Sequence, residues 1–64
     1  MNKKLETKLN QYFGKAKNLE DLRKRYRHVG SYIMKYDEFD NMDYNDKEAI
    51  IATVLDKYIN KFYK

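Results

Sequence analysis

The sequence predicts an all-α fold, a compact three-helix domain, on three observations. Its 64 residues contain no Pro and only two Gly, so few positions interrupt a helix. Its apolar residues recur at intervals of three and four rather than alternating, which is the period of one helical face. Two stretches open with a capping residue followed three positions later by an acid, Asn18 with Asp21 and Asn45 with Glu48.

The first helix is expected over residues 3–13, where Leu5, Leu9, Tyr12 and Phe13 fall on one side with Ala16 beyond them. Gly14 stands where a helix can end in a left-handed residue, leaving a short connection over residues 15–18. The second is expected over residues 19–36, capped by Asn18, with Asp21 offering a shortened form of the reciprocal capping contact. Its stripe is Leu19, Leu22, Tyr26, Val29, Ile33 and Tyr36, at intervals that alternate between three and four. That spacing makes a seam for another helix at a shallow angle. Gly30 lies inside this helix at a cost of about 1 kcal/mol relative to Ala, and is expected to permit close packing or a bend.

The third helix is expected over residues 46–62, after an Asn45 cap, with Asp46 and Glu48 near its positive end. Ile50, Ile51, Val54, Leu55, Tyr58, Ile59 and Phe62 form a face wide enough to be embraced by two other helices. Lys57, Lys61 and Lys64 suit its negative end. Residues 37–44 between the second and third helices are acidic and too irregular to extend either. The expected core sets Leu22, Tyr26, Val29 and Ile33 against Ile51, Leu55, Tyr58 and Phe62, with Leu9 and Phe13 closing the third side. One domain therefore accounts for residues 1–64.

A chain of this length buries only about 60% of the surface its unfolded state exposes. Without Cys it has neither a disulfide nor a thiolate metal site. Its stability must then come from helix packing, from self-association as a homodimer, or from a partner. Fourteen Lys and Arg against ten Asp and Glu give a net charge of +4, a mild basic excess short of a nucleic-acid-binding arm. No apolar run has the length of a membrane span or signal segment, so a cytoplasmic location is expected. The abundance of Lys, Asn, Tyr, Ile and Phe is what an AT-rich coding sequence gives, as in low-GC bacteria and their phages.

The densest basic cluster is Arg23, Lys24, Arg25, Arg27 and His28. Arg23 and Arg27 lie one turn apart beside the apolar stripe, and Glu20 offsets Lys24 at the four-residue spacing. Such a cluster suits an acidic patch on a larger protein. The alternative is nucleic-acid phosphates, with Tyr32 or Tyr36 stacking on bases. The modest net charge and the acidic residues 37–46 favour the protein partner. Among the aromatic residues, Tyr12, Phe13, Tyr26, Tyr58 and Phe62 fit buried stripes, whereas Phe39, Tyr44 and Tyr63 do not. Aromatic side chains without a core position are interface candidates. The expected partner-binding residues are therefore Arg23, Lys24, Arg27 and His28 together with Phe39, Met42 and Tyr44.

No catalytic, cofactor or metal site is expected. Asp37 and Glu48 occupy the first and twelfth positions of a calcium loop, but Phe39 and Met42 stand where an oxygen ligand and the turn glycine belong. His28 has Ser31 three residues away and no third group to orient the imidazole, so the chain does not read as an enzyme.

Residues 12–30 resemble the opening of small J-domain-like proteins of low-GC bacteria and phages, whose second helix reads Leu-x-x-Leu-Lys-Lys-x-Tyr-Arg. Leu19, Leu22, Arg23, Lys24, Tyr26 and Arg27 match that pattern, with Val29 where the family has Leu and Gly30 where it usually has Ala. A weaker similarity to the third J-domain helix covers residues 47–58. The resemblance implies a helical hairpin whose second helix meets an acidic partner surface. The family's His-Pro-Asp triplet, which stimulates the ATPase of a heat-shock chaperone, is replaced by Met34, Lys35 and Tyr36. Co-chaperone activity is therefore not expected. The expected function is that of a small non-enzymatic binding module, phage- or mobile-element-encoded, that regulates or inhibits a larger protein. A basic nucleic-acid-binding regulator is the alternative.

Overall fold

The structure, a computed structural model, describes residues 2–63. Helix α1 (Lys3–Gly14) starts at Asn2, whose side-chain oxygen accepts from the amides of Lys4 and Leu5 at 3.0 and 3.1 Å. Such a cap contributes typically about 1 kcal/mol. The helix runs through Gly14 instead of stopping before it. Neither glycine has a positive φ, and the capping residue, Lys15, keeps the right-handed conformation. Gly14 serves close approach: a Cβ there would stand 3.3 Å from the Tyr58 hydroxyl. That hydroxyl donates towards the carbonyl and the side-chain oxygen of Asn10, at 3.2 and 3.0 Å.

Helix α2 (Leu19–Arg27) begins at the expected cap, the Asn18 side chain accepting from the Asp21 amide at 2.8 Å. The returning contact lands one residue before the cap, where the Lys17 amide donates to Asp21 Oδ2 at 3.1 Å. The single helix expected over residues 19–36 is two. His28, at φ −106° and ψ 7°, leaves helical geometry, and the chain resumes as α3 (Val29–Met34). The break falls just before β-branched Val29 and Gly30, both weaker helix formers than Ala. Leu22, Val29 and Ile33 still reach the core, but Tyr26, expected with them, is swung out to 50% exposure.

A 3-10 turn at Asp37–Phe39 then drops Phe39 into the core. Helix α4 (Tyr44–Phe62) starts two residues earlier than expected. Its cap is Asp43, whose carbonyl accepts the first helical bond from the Lys47 amide at 3.1 Å and whose side chain makes no capping contact. Asn45 therefore lies inside the first turn and does not cap it.

The direction of each leg follows from its contacts. The Asn2 amide approaches Met42 Sδ at 3.4 Å at one end, and Gly14 abuts Tyr58 at the other, so α1 and α4 run the same way. The Tyr32 hydroxyl donates to the Lys8 carbonyl at 3.0 Å, and Arg25 Nη1 donates to the Tyr12 carbonyl at 3.2 Å. The leg formed by α2 and α3 therefore runs opposite to both. The result is an all-α, up-down-up bundle measuring 36 × 19 × 16 Å. Its buried centre is Leu5, Leu9 and Phe13 from α1, Leu22, Val29 and Ile33 from the middle leg, Phe39, and Ile50 with Val54 from α4. Ile51, Leu55, Tyr58 and Phe62, expected to face the core squarely, are only partly buried around it. The wide face of α4 is divided, with Ile50 and Val54 turned into the bundle and Ile51 and Leu55 left on the side facing α3. Among the described residues no helix is long and apolar enough to cross a membrane.

The seam between α1 and the middle leg is aromatic. Tyr12 stacks on Tyr32 with centroids 4.1 Å apart, Tyr36 meets Tyr32 edge-on at 5.5 Å, and Phe39 meets Tyr36 at 6.1 Å. Cations lie over two rings of the ladder, Lys8 over Tyr36 and Arg25 over Tyr12. Burial first, and then the neighbouring Tyr36 and Tyr12, push the Tyr32 phenol up to about 12.

Candidate functional site

The nine-residue α2 is dense in cations, and its packing sorts them. Arg25 folds back over α1, its Nη1 on the Tyr12 carbonyl and its Nε 3.7 Å from Asp21 without a hydrogen-bond partner. It is a clamp between legs. Arg23, Lys24, Arg27 and His28 are all exposed. Helical spacing sets Arg23 beside Arg27 and Lys24 beside His28, which makes one strip of three cations and an imidazole on the outer side of the leg. Among the described residues the ion pairs are Lys4 with Glu38, long and exposed at 3.8 Å, and Arg25 with Asp21. No carboxylate therefore comes within ion-pair distance of the strip, although Glu20 and Asp21 line the same surface.

The acidic connection lies at the other end of the bundle. Glu38 reaches Lys4, whereas Arg25 reaches Tyr12, eight residues further along α1. Eight helical residues span about 12 Å, more than the physiological screening length of about 8 Å.

The three loop residues expected beside this strip separate. Phe39 is 1% exposed and offers a partner no surface, which corrects its assignment as a contact residue. Periodicity ends at Tyr36, so no stripe in the sequence claims Phe39; the 3-10 turn turns it inward onto Tyr36. Met42 is half-buried on the opposite side, against Asn2 and near Ile50, and does not join the strip. Tyr44 is 73% exposed, as expected, at the start of α4.

Between the middle leg and α4 lies a groove of about 610 Å³. Its floor is Val29 and Ile33 on one side and Ile51 and Leu55 on the other. Tyr26 and Met34, the latter 77% exposed, rise along one edge, and Tyr44 closes the end of the other. Arg27 borders both this groove and the cationic strip, joining the two surfaces. The α4 wall carries Glu48 and Asp56, with Lys47 nearer its start. Sequence reasoning missed the groove because it assigned Tyr26, Ile51 and Leu55 to a closed core. The signal available was the breadth of the α4 face, more apolar positions than one middle leg can cover.

Among the described residues no three His, Asp or Glu side chains converge to hold a metal ion. No family model, no curated protein and no solved structure matches the chain.

Proposed function

We propose that the chain is a small protein-binding module that regulates or inhibits a larger protein by engaging an acidic surface through Arg23, Lys24, Arg27 and His28. The observation that supports this reading is the exposed strip of cations on one short leg, without carboxylate partners and continuous through Arg27 with an apolar groove. Apolar surface beside a charged border is how protein interfaces divide their work: the buried part supplies affinity, and the charges supply encounter rate and specificity. The J-domain-like resemblance enters as a reading of the scaffold. An antiparallel pairing of the middle leg with α4, preceded by a short capped helix, supports it. Without the His-Pro-Asp triplet the scaffold would serve binding alone.

One observation favours the second reading, a basic nucleic-acid-binding regulator. The acidic connection is displaced along the bundle from the cationic strip, so phosphates lying on α2 would not run directly onto it. Affinity capture from a native lysate, with and without nuclease, separates the two. Capture that survives nuclease and is lost in the Arg23→Glu, Lys24→Glu double variant supports the protein partner. Capture abolished by nuclease overturns it in favour of nucleic acid.

A further inference from the structure

We infer that the groove between the middle leg and α4 is a docking face for a second copy of this chain, arranged about a two-fold axis lying along the groove. The first support is apolar exposure. Tyr26, Met34 and Tyr44 stand out of the bundle around this one groove, a concentration that marks an interaction surface.

The second support is Gly30. A Cβ built there meets nothing within 4 Å, and its φ is not positive, so neither packing nor backbone conformation within the chain calls for glycine. Glycine nevertheless weakens a helix. What it does at this position is leave the α3 backbone bare on the groove wall, where another backbone can approach closely. Ala52 stands on the facing wall, small and exposed.

The third support is charge. The middle-leg wall carries Arg27, and the α4 wall carries Glu48 and Asp56 against one cation, Lys47; none of these is ion-paired within the chain among the described residues. Rotation by a half-turn about an axis along the groove lays each copy's middle leg on the other copy's α4, with height along the bundle unchanged. Because the two legs are antiparallel, Arg27 lies towards the Asp56 end and Met34 towards the Tyr44 end. Arg27 of each copy then meets Asp56 of the other, and Gly30 meets Ala52. A two-fold axis across the groove would instead set basic wall on basic wall. Opposite walls of opposite sign thus select one symmetric pairing, the self-complementary kind a two-fold dimer requires.

The area is sufficient. A standard interface uses about 800 Å² per partner, roughly a sixth of the 4943 Å² this chain exposes. One lateral side of a three-legged bundle can supply it. The pairing takes up the groove and Arg27 and leaves Arg23, Lys24 and His28 outside the contact, so self-association would compete with an acidic partner for the groove and Arg27 but not for those three side chains.

The test is sedimentation equilibrium of the full chain over a range of concentrations, with circular dichroism as the folding control. The expected result is a reversible dimer. Arg27→Glu and the double variant Glu48→Lys, Asp56→Lys should each weaken self-association by about tenfold or more, through like charges set opposite one another. Mixing those two variants should restore dimers, since the reversed side chain at position 27 then meets the reversed one at position 56, and the unreversed Arg27 meets the unreversed Asp56. Gly30→Leu, which projects into space the chain leaves open, should keep the fold and lose the dimer. A wild-type chain that stays monomeric at its highest soluble concentration overturns the proposal. So does a dimer indifferent to Gly30→Leu, or a mixture of the two charge variants that does not associate.

Discussion

Phe39→Ala discriminates most sharply between a loop that serves a partner and a loop that serves the core. The side chain is 1% exposed, sits at the end of the aromatic ladder against Tyr36, and belongs to the same cluster as Leu5, Leu9 and Phe13. Truncating a buried Phe typically costs about 3 to 5 kcal/mol, combining lost transfer energy with the cavity left behind. At about 0.05 to 0.15 kcal/mol per residue, 64 residues carry roughly 3 to 10 kcal/mol in total. Phe39→Ala should therefore take away a third or more of the stability and leave some molecules unfolded in buffer. Urea titration followed by far-ultraviolet circular dichroism measures it, with Tyr44→Ala as the control. Tyr44 is exposed in the same stretch and should shift stability by no more than about 0.5 kcal/mol. Equal small effects from both substitutions would refute the placement of Phe39.

Gly30→Ala should stabilise the fold by about 0.4 to 1 kcal/mol, because the new methyl meets nothing and the backbone is already helical. The melting temperature should rise by about 2 to 8 °C for a domain of this size, read at a concentration where melting does not depend on concentration; an unchanged or lower value would count against the geometry at Gly30. The Tyr32 phenol, pushed from 10.0 to about 12, holds its proton more tightly when folded. Its contribution to stability is full below pH 10 and is lost as pH rises towards about 12. Absorbance titration should show a late phase that Tyr32→Phe removes; uniform titration of all seven tyrosines near 10 would contradict this. In a steady-state assay the chain should leave the ATPase of a heat-shock chaperone unstimulated, since no Pro is present to build the triplet. Stimulation like that of an authentic J protein would show that another element substitutes.

What the sequence disclosed divides along physical lines. The Asn18 cap and the burial of Leu5, Leu9, Phe13, Leu22, Val29 and Ile33 were legible, because capping chemistry and helical period are local properties. The start of α4 was not, since Asn45 and Asp43 both have the chemistry of a cap and the backbone chose the earlier one. Phe39 escaped for a related reason: a residue buried through a single 3-10 turn has no repeat to announce it. The cationic strip was visible as composition, but nothing in the order of residues said that Arg25 would be withdrawn from it by the Tyr12 carbonyl. The groove was the hardest to see. Periodicity states which apolar residues share a face and leaves open how much of that face another helix covers, so Tyr26 and Leu55 looked like core.

The separation of the acidic connection from the cationic strip also bears on how fast a partner is found. In a molecule 36 Å long, an excess of cations towards the α2 end and of carboxylates towards the acidic connection amounts to an electric dipole along the long axis. Such a body turns in the field of a charged surface before it touches, leading with α2 towards anything negative and holding the acidic end away. The orientational search that ordinarily slows docking is shortened by that torque, and the gain fades as salt shortens the reach of the field. Moving carboxylates onto the outer side of α2 at constant net charge would remove the torque while leaving the groove as it is, slowing capture far more than it hastens release.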